Sequence, residues 1–496
     1  MKSVKFLGLI LAAVAVLAAP AVAQVIMLQG TNAYPYDVAQ VQAAVSNPYT
    51  KVILSGTFNF GTDGSVVISV PGITLQGATT GATIVGGRNP LKTLQTGEYP
   101  PAQTSGAKNL TIRNLRFEGW IGFAIYVMGI YAPDNFTLIE NNTLVSTLDW
   151  SVGYIYGIHY CHSYGSAVIR NNLIRNVSWL AISTDGLNLG AKDSYRVYHN
   201  RIEDCHQDAI SIGISDPFGL DPNLPINKGP VVIEDNFIQI ASQELWPGYT
   251  WGIDLGADWL LGTSNAQVIN NTIKGNDFYM GIFAPWYGSK RQILSNDLTG
   301  ATSRGTQICD NGGTQDLIAF NRLGPVSFAM AQEAGDPYFG TPIALWSSQP
   351  DPSYPVIVPT TNNVLVGNDC RLTGRPGWEF DTAGTLLDTG CVILASATDV
   401  YFPDWYGSDV TSNMVLEAGM FPRGAGGSRS QVLELPVHAY GNYILGGGFT
   451  LGIQANALSS LASVKANAAA VNLRQAVNAK RAALQSNVES CKKCKQ

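Results

Sequence analysis

The sequence predicts an all-β solenoid in which three short strands make one coil and the coils stack on each other. Three observations carry that expectation. One phrase recurs at Asn142, Asn172, Asn200, Asn236, Asn271, Asn296 and Asn321, each followed after one intervening residue by Leu or Ile. The steps between these asparagines are 30, 28, 36, 35, 25 and 25 residues, the period of a repeat that buries its apolar edge only against its neighbours. β-Branched and aromatic residues flank each Asn, Gly or Asn occupies the corners, and no apolar stripe of helical period runs through 136–323. An Asn repeated at one corner can turn inward and bond to the backbone and to the Asn of the next coil, which offsets the cost of burying an amide.

The elements follow in order. Lys2 and Lys5 precede an apolar run over 6–19 and a small-x-small site at Ala21-Val22-Ala23, so residues 1–23 read as a secretory signal peptide and the protein as secreted. Residues 37–46 read as a short helix with Val38, Val41, Ala44 and Val45 on one side, a lid for the open end of the stack. Strands are expected at 52–54, 66–70, 73–75 and 83–85, then a Pro- and Gly-rich loop over 86–107, and coils again from Leu110, with Asn114 an approximate member of the series. The two longest repeat intervals carry insertions at 215–229 and 243–249, and the solenoid runs on, less regularly, to about residue 450. Residues 451–496 turn to Ala, Leu, Val, Asn and Gln, a helical tail ending in Cys491-x-x-Cys494 that is a candidate surface for self-association or cell-surface attachment.

A net charge of −6 argues against nucleic acid as a partner, and no segment after the leader approaches an apolar 20-mer that would span a membrane. Seven cysteines are too few for a disulfide scaffold in 496 residues. Cys370 and Cys391 lie 21 residues apart, placed either to bridge or to stack, while Cys161, Cys205 and Cys309 read as isolated small apolar residues.

A second phrase recurs on another side of the coil: Tyr156-Gly157-Ile158-His159, Asp185-Gly186-Leu187-Asn188, Asp208-Ala209-Ile210-Ser211, Trp251-Gly252-Ile253-Asp254 and Met280-Gly281-Ile282-Phe283. With Ile158, Leu187, Ile210, Ile253 and Ile282 inward, two surface columns follow, one through Asp185 and Asp208, the other through His159, Asn188, Ser211 and Asp254. Asp185 and Asp208 are then expected one rung apart, about 5 Å, where mutual repulsion raises one pKa and divides acid from base. With Asp254 they form a candidate catalytic set for glycoside hydrolysis, and His159 is a further acid/base candidate. Asn188, His206, Trp246, Tyr249, Trp251 and Trp259 are candidate glycan-binding residues, the aromatic ones by stacking on sugar faces. No metal site is expected for this chemistry, nor any cofactor.

Val70-Pro71-Gly72-Ile73-Thr74-Leu75-Gln76-Gly77, Leu110-Thr111-Ile112-Arg113-Asn114-Leu115 and the Asn series resemble the right-handed parallel β-helix proteins of the pectin-lyase-like superfamily over about residues 30–400. Ser183-Thr184-Asp185-Gly186 and His206-Gln207-Asp208 also resemble, locally, segments of polygalacturonase-type glycoside hydrolases. That resemblance implies carboxylate roles for Asp185 and Asp208, but Gln207 replaces a carboxylate and the family's later basic segments are absent, which argues against its standard chemistry. The expectation is a polysaccharide-acting protein, most concretely a glycoside hydrolase. The alternatives are a non-enzymatic binding, adhesive or structural β-helix, and a polysaccharide lyase in which Asp185, Asp208 and Asp254 hold Ca²⁺.

Overall fold

The computed structural model describes residues 24–94, 105–152, 154–214, 228–242, 250–256, 263–285, 288–327, 341–347, 359–370, 379–380, 386–388, 390–396, 409–416, 432–435, 438–445 and 448–450. The leader, residues 215–227 of the first insertion, the second insertion and the 451–496 tail lie outside them, as do Trp246, Tyr249 and Trp259.

One coil shows the plan. Phe136–Glu140, Thr143–Val145 and Ile155–Cys161 follow one another as three strands. The first pairs in parallel with Thr111–Arg113 one coil earlier and Ser166–Arg170 one coil later. The second pairs with Arg116–Glu118 and Leu173–Val177, and the third with Gly122–Met128 and Ile182–Leu187. Repeated along the chain, the three strands build three walls of a right-handed parallel β-helix. The third wall is a sheet of 13 parallel strands from Val66–Val67 to Gly448–Thr450.

Alternation turns every second side chain inward, and the register stacks like on like. Ile112, Ile139, Ile169, Val197, Ile233 and Val268 form one such buried column. Each contributes about 1.5–3 kcal/mol by leaving water, so a long core grows without a globular centre. At the N-terminal end the helix Tyr36–Val45 presses Val41, Ala44 and Val45 onto this core, with Val38 packed beside them, as the lid requires.

The asparagine ladder is present and longer than the sequence pattern indicates. Asn142 Nδ2 donates to Asn172 Oδ1 at 3.1 Å, and the chain of amides continues through Asn200, Asn236, Asn271, Asn296 and Asn321 to Asn368. Each Oδ1 also accepts the backbone N–H of the preceding Asn, and each Nδ2 also reaches a carbonyl, as Asn236 does to Val197 at 2.9 Å. Asn114 is not a rung. It occupies the left-handed position, φ 55°, that Asn141, Asn171 and Asn270 hold in later coils, and the rung position is Leu115. Replacing Asn236 by Ala should lower stability by about 3 kcal/mol or more, since several buried partners lose their bonds at once. Urea unfolding measures it, and a cost within error of zero would remove the ladder as a stabilising device.

One further expectation changes and one open alternative is decided. Strands 73–75 and 83–85 are one continuous strand, Thr74–Val85, because its parallel neighbour Thr50–Asn59 carries the pairing past Gly77 with a bulge instead of a turn. Cys370 and Cys391 form a disulfide, and Cys161, Cys205 and Cys309 are buried and free.

Candidate active site

The site rests on the third wall, and its register comes first. Ile158, Ile182, Ile210, Ile253 and Ile282 stack as the inward column. The second coil therefore contributes Leu180-Ala181-Ile182-Ser183, not Asp185-Gly186-Leu187-Asn188. Close approach of the coils explains the small residue in the phrase: a Cβ on Gly157 would stand 2.1 Å from the Ala181 carbonyl oxygen. Gly186 is glycine for another reason, a φ of +55° at the irregular end of its strand.

This shift corrects the expected carboxylate pair. Asp185 pairs in register with Cys161, three residues beyond the inward position, while Asp208 lies two residues before it. Five residues of offset put the two backbones roughly 16 Å apart along the strand direction, so Asp185 and Asp208 are not rung neighbours. Asn188 is likewise outside the column through His159, which passes through Ser183 instead; Asn188 is buried and bridges to Tyr164.

The other memberships stand. One column holds Phe123, Tyr156, Leu180, Asp208, Trp251 and Met280, and the next holds Tyr126, His159, Ser183, Ser211, Asp254 and Phe283. Side chains meet along the diagonal from the first column of one coil to the second column of the next. Phe123 stacks on His159 at 4.6 Å between ring centroids, and Trp251 stacks on Phe283 at 5.7 Å. Asp208 and Asp254 hold the corresponding positions on neighbouring coils, and the charge of Asp254 acts on Asp208.

Asp208 accepts the Trp251 N–H at 3.3 Å. Asp254 accepts the Gly256 N–H at 2.9 Å on one oxygen and the Ser211 hydroxyl at 3.5 Å on the other. Both are nearly buried, 5% and 4% exposed. Burial first, and then the charge of Asp254, hold the Asp208 carboxyl well above the usual carboxylate range, against the opposing Trp251 bond. Asp208 is thus held toward its acid form beside a group that raises its pKa, with Asp254 in the place the sequence assigned to Asp185.

Beside the pair runs a row of rings. Phe123 stacks on Tyr126, Tyr156 and His159, and Tyr156 on Trp179 at 5.8 Å. Phe123, Tyr156, His159 and Trp179 are half-buried, so the row keeps part of its surface open. His159 shares a 2.6 Å hydrogen bond with Ser183 Oγ, and burial followed by His162 pushes its pKa down to about 3. A neutral imidazole at ordinary pH holds and stacks but does not donate as an imidazolium. Trp251 is buried against Phe283 and Tyr279.

His206 leaves the wall altogether. Two residues before Asp208, it stacks face to face on Trp150 at 4.3 Å and lines a cavity of about 530 Å³ at the corner between the second and third walls. Sequence reasoning passed over Trp150, Phe123 and Tyr126. Their register with Tyr156 and His159 was the available signal for the latter two, since Phe123-Ala124-Ile125-Tyr126 repeats the phrase with Ala in place of Gly. Among the described residues no group of three or more His, Cys, Asp or Glu side chains is placed to hold a metal ion.

Fold and wall together define a right-handed parallel β-helix carrying a carboxyl pair and an aromatic row on one outer face. No protein-family model matches the sequence, and no curated protein matches it. Among solved structures the chain is similar to a PL6 alginate lyase in complex with a trisaccharide, at 11% identity and TM-score 0.44, over 88% of this chain and 86% of that one. It is similar to the catalytic unit of a GH87 α-1,3-glucanase from Streptomyces thermodiastaticus, at 11% identity and TM-score 0.45, over 88% and 70%. A DFA-IIIase from Arthrobacter chlorophenolicus is similar at 10% identity and TM-score 0.36, over 71% and 92%. Identities this low leave the chemistry to the residues of this chain.

Proposed function

We propose that the protein is a secreted glycoside hydrolase acting on a polysaccharide along the third wall. Asp208 is the general acid, protonating the leaving glycosidic oxygen, and Asp254 is the carboxylate that activates water or attacks the anomeric carbon. The observation that carries this reading is the Asp208–Asp254 diagonal, with the acid form of Asp208 favoured by burial and by its neighbour, beside half-open rings that fit sugar faces. Asp185 takes no part in it.

A glycan-binding β-helix without catalysis is the second reading, and the burial of both carboxyls favours it. Reducing-end release from a panel of polysaccharides, with and without chelator, separates the readings. Release by the wild type that chelator leaves intact supports hydrolysis. An unsaturated, ultraviolet-absorbing product lost on chelation would replace it with elimination, and glycan binding with no release would leave the second reading in its place.

A further inference from the structure

The corner cavity beside His206 is a different place from the carboxyl wall, and its lining has a chemistry of its own. The strand ends Leu173–Val177 and Arg201–Cys205 bring Asn176 and Asp204 to one level, both in left-handed backbone, φ 56° and 53°. The next two coils add Gln239, Ser242 and Asn276. Asn176 spends its Nδ2 on the Ser146 and Leu148 carbonyls, each at 3.0 Å. Among the described residues no hydrogen bond engages the side chains of Asp204, Gln239, Ser242 or Asn276, although all converge on one hollow of about 530 Å³. The Trp150–His206 stack closes one end with a flat apolar face.

We propose that this hollow is a saccharide subsite selective for neutral over acidic sugars. Amide and hydroxyl groups that donate and accept, set against an aromatic plane, suit a polyhydroxylated ring, and the volume lies in the range of about 300–1,000 Å³ typical of small-ligand sites. Selectivity comes from charge. Asp204 is the one carboxylate in the lining, and the neighbouring Arg175 and Arg201 are both committed to Glu203. Among the described residues no Lys or Arg lines the hollow, so a uronate carboxylate entering here meets an acidic group with no lysine or arginine to answer it. The subsite also has a route to the chemistry: the segment 206–208 puts His206 in the hollow and Asp208 on the wall, so one glycan chain can occupy both. This inference rests on the glycan-acting reading above and adds the sugar class.

Titration calorimetry on the full chain carrying Asp254→Asn tests it, with neutral gluco- and manno-tetrasaccharides and a galacturonate tetrasaccharide as probes. A neutral tetrasaccharide should bind at least tenfold more tightly than the galacturonate one. Trp150→Ala and Asn276→Ala should each weaken that binding about tenfold, and Trp150→Phe should recover most of the loss by restoring the aromatic face. Asp204→Asn should narrow the gap between the neutral and acidic probes. Affinity unchanged by Trp150→Ala and Asn276→Ala, tighter binding of the galacturonate probe, or no binding of any probe overturns the subsite. Hydrolysis abolished by Asp254→Asn alongside unchanged affinity in the cavity variants would sink this inference and leave the hydrolase standing. The reverse pattern would sink the hydrolase and leave the subsite.

Discussion

Asp254→Asn should lower the rate of polysaccharide hydrolysis by about 10²–10⁴-fold, the effect of removing a positioned acid/base group. Asp208→Asn should cost a similar factor on a natural glycan, because the amide keeps the shape of the protonated acid but has no proton to give. The two variants part on an aryl glycoside whose leaving group needs no protonation: Asp208→Asn recovers much of its rate there, and Asp254→Asn does not. Asp185→Asn should leave the rate within twofold, since the register sets Asp185 opposite Cys161 and away from the pair. The pH profile follows from the raised Asp208 carboxyl. An acid must be protonated to act, so activity falls as pH rises through its folded pKa, and the alkaline limb moves or vanishes in Asp208→Asn. An Asp185→Asn enzyme as inactive as Asp254→Asn would end this assignment.

The second large effect lies in stability, further along the stack. The rung position ahead of the first-wall strands is apolar at Tyr195, Val231 and Ala266, then becomes Arg291, Asp316, Asn363, Asn413 and Asn442. Arg291 is fully buried. Its Nε meets Asp316 at 2.6 Å, one terminal nitrogen meets Asp310 at 2.7 Å, and the other donates to the Pro285 carbonyl at 2.8 Å. Asp316 also takes the Arg291 backbone N–H at 2.7 Å, and burial raises its carboxyl against these bonds to Arg291. Burial and then the charge of Asp316 push the Asp310 carboxyl up to about 8, and its second oxygen is buried without a hydrogen bond. One guanidinium thus faces two buried carboxyls, both raised by burial.

Arg291→Leu should cost about 3–5 kcal/mol in urea unfolding, because it strands two buried carboxyls. Asp310→Asn should change stability little at pH 7, where the aspartate already carries a proton. It should instead alter the pH dependence. Between the ordinary carboxylate value of 3.8 and about 8, folded Asp310 holds a proton that the unfolded chain has released. Stability therefore falls as pH rises through that window and levels off above it, and Asp310→Asn flattens that slope. A slope unchanged by the substitution would show that Asp310 is ionised in the fold.

The asparagine ladder was legible because a rung uses the same residue for the same local reason in every coil. Asn142 through Asn321 show themselves by recurrence alone, while Asn368, 47 residues past Asn321, falls beyond the regular period. The wall phrase was legible in four coils and misread in one. Both Ala181-Ile182 and Gly186-Leu187 fit it, and distance from the ladder does not choose between them, since Ile158 follows Asn142 by 16 residues and Ile210 follows Asn200 by ten. The Trp150–His206 stack and the Arg291 cluster had no comparable signature, since each joins residues that share no repeated phrase.

By itself the sequence determined the winding and its amide ladder, because these depend on alternation and on one corner residue met again every turn. Only the tertiary structure decided that the charge of Asp254, not Asp185, acts on Asp208, that His206 turns into a corner hollow, and that Arg291 meets carboxyls from two later segments. Successive inward isoleucines are separated by 24, 28, 43 and 29 residues, so chain distance does not measure spatial rank. Each coil is cut to length by its own loops, and the hydrogen-bond register between neighbouring strands then sets which side chains meet.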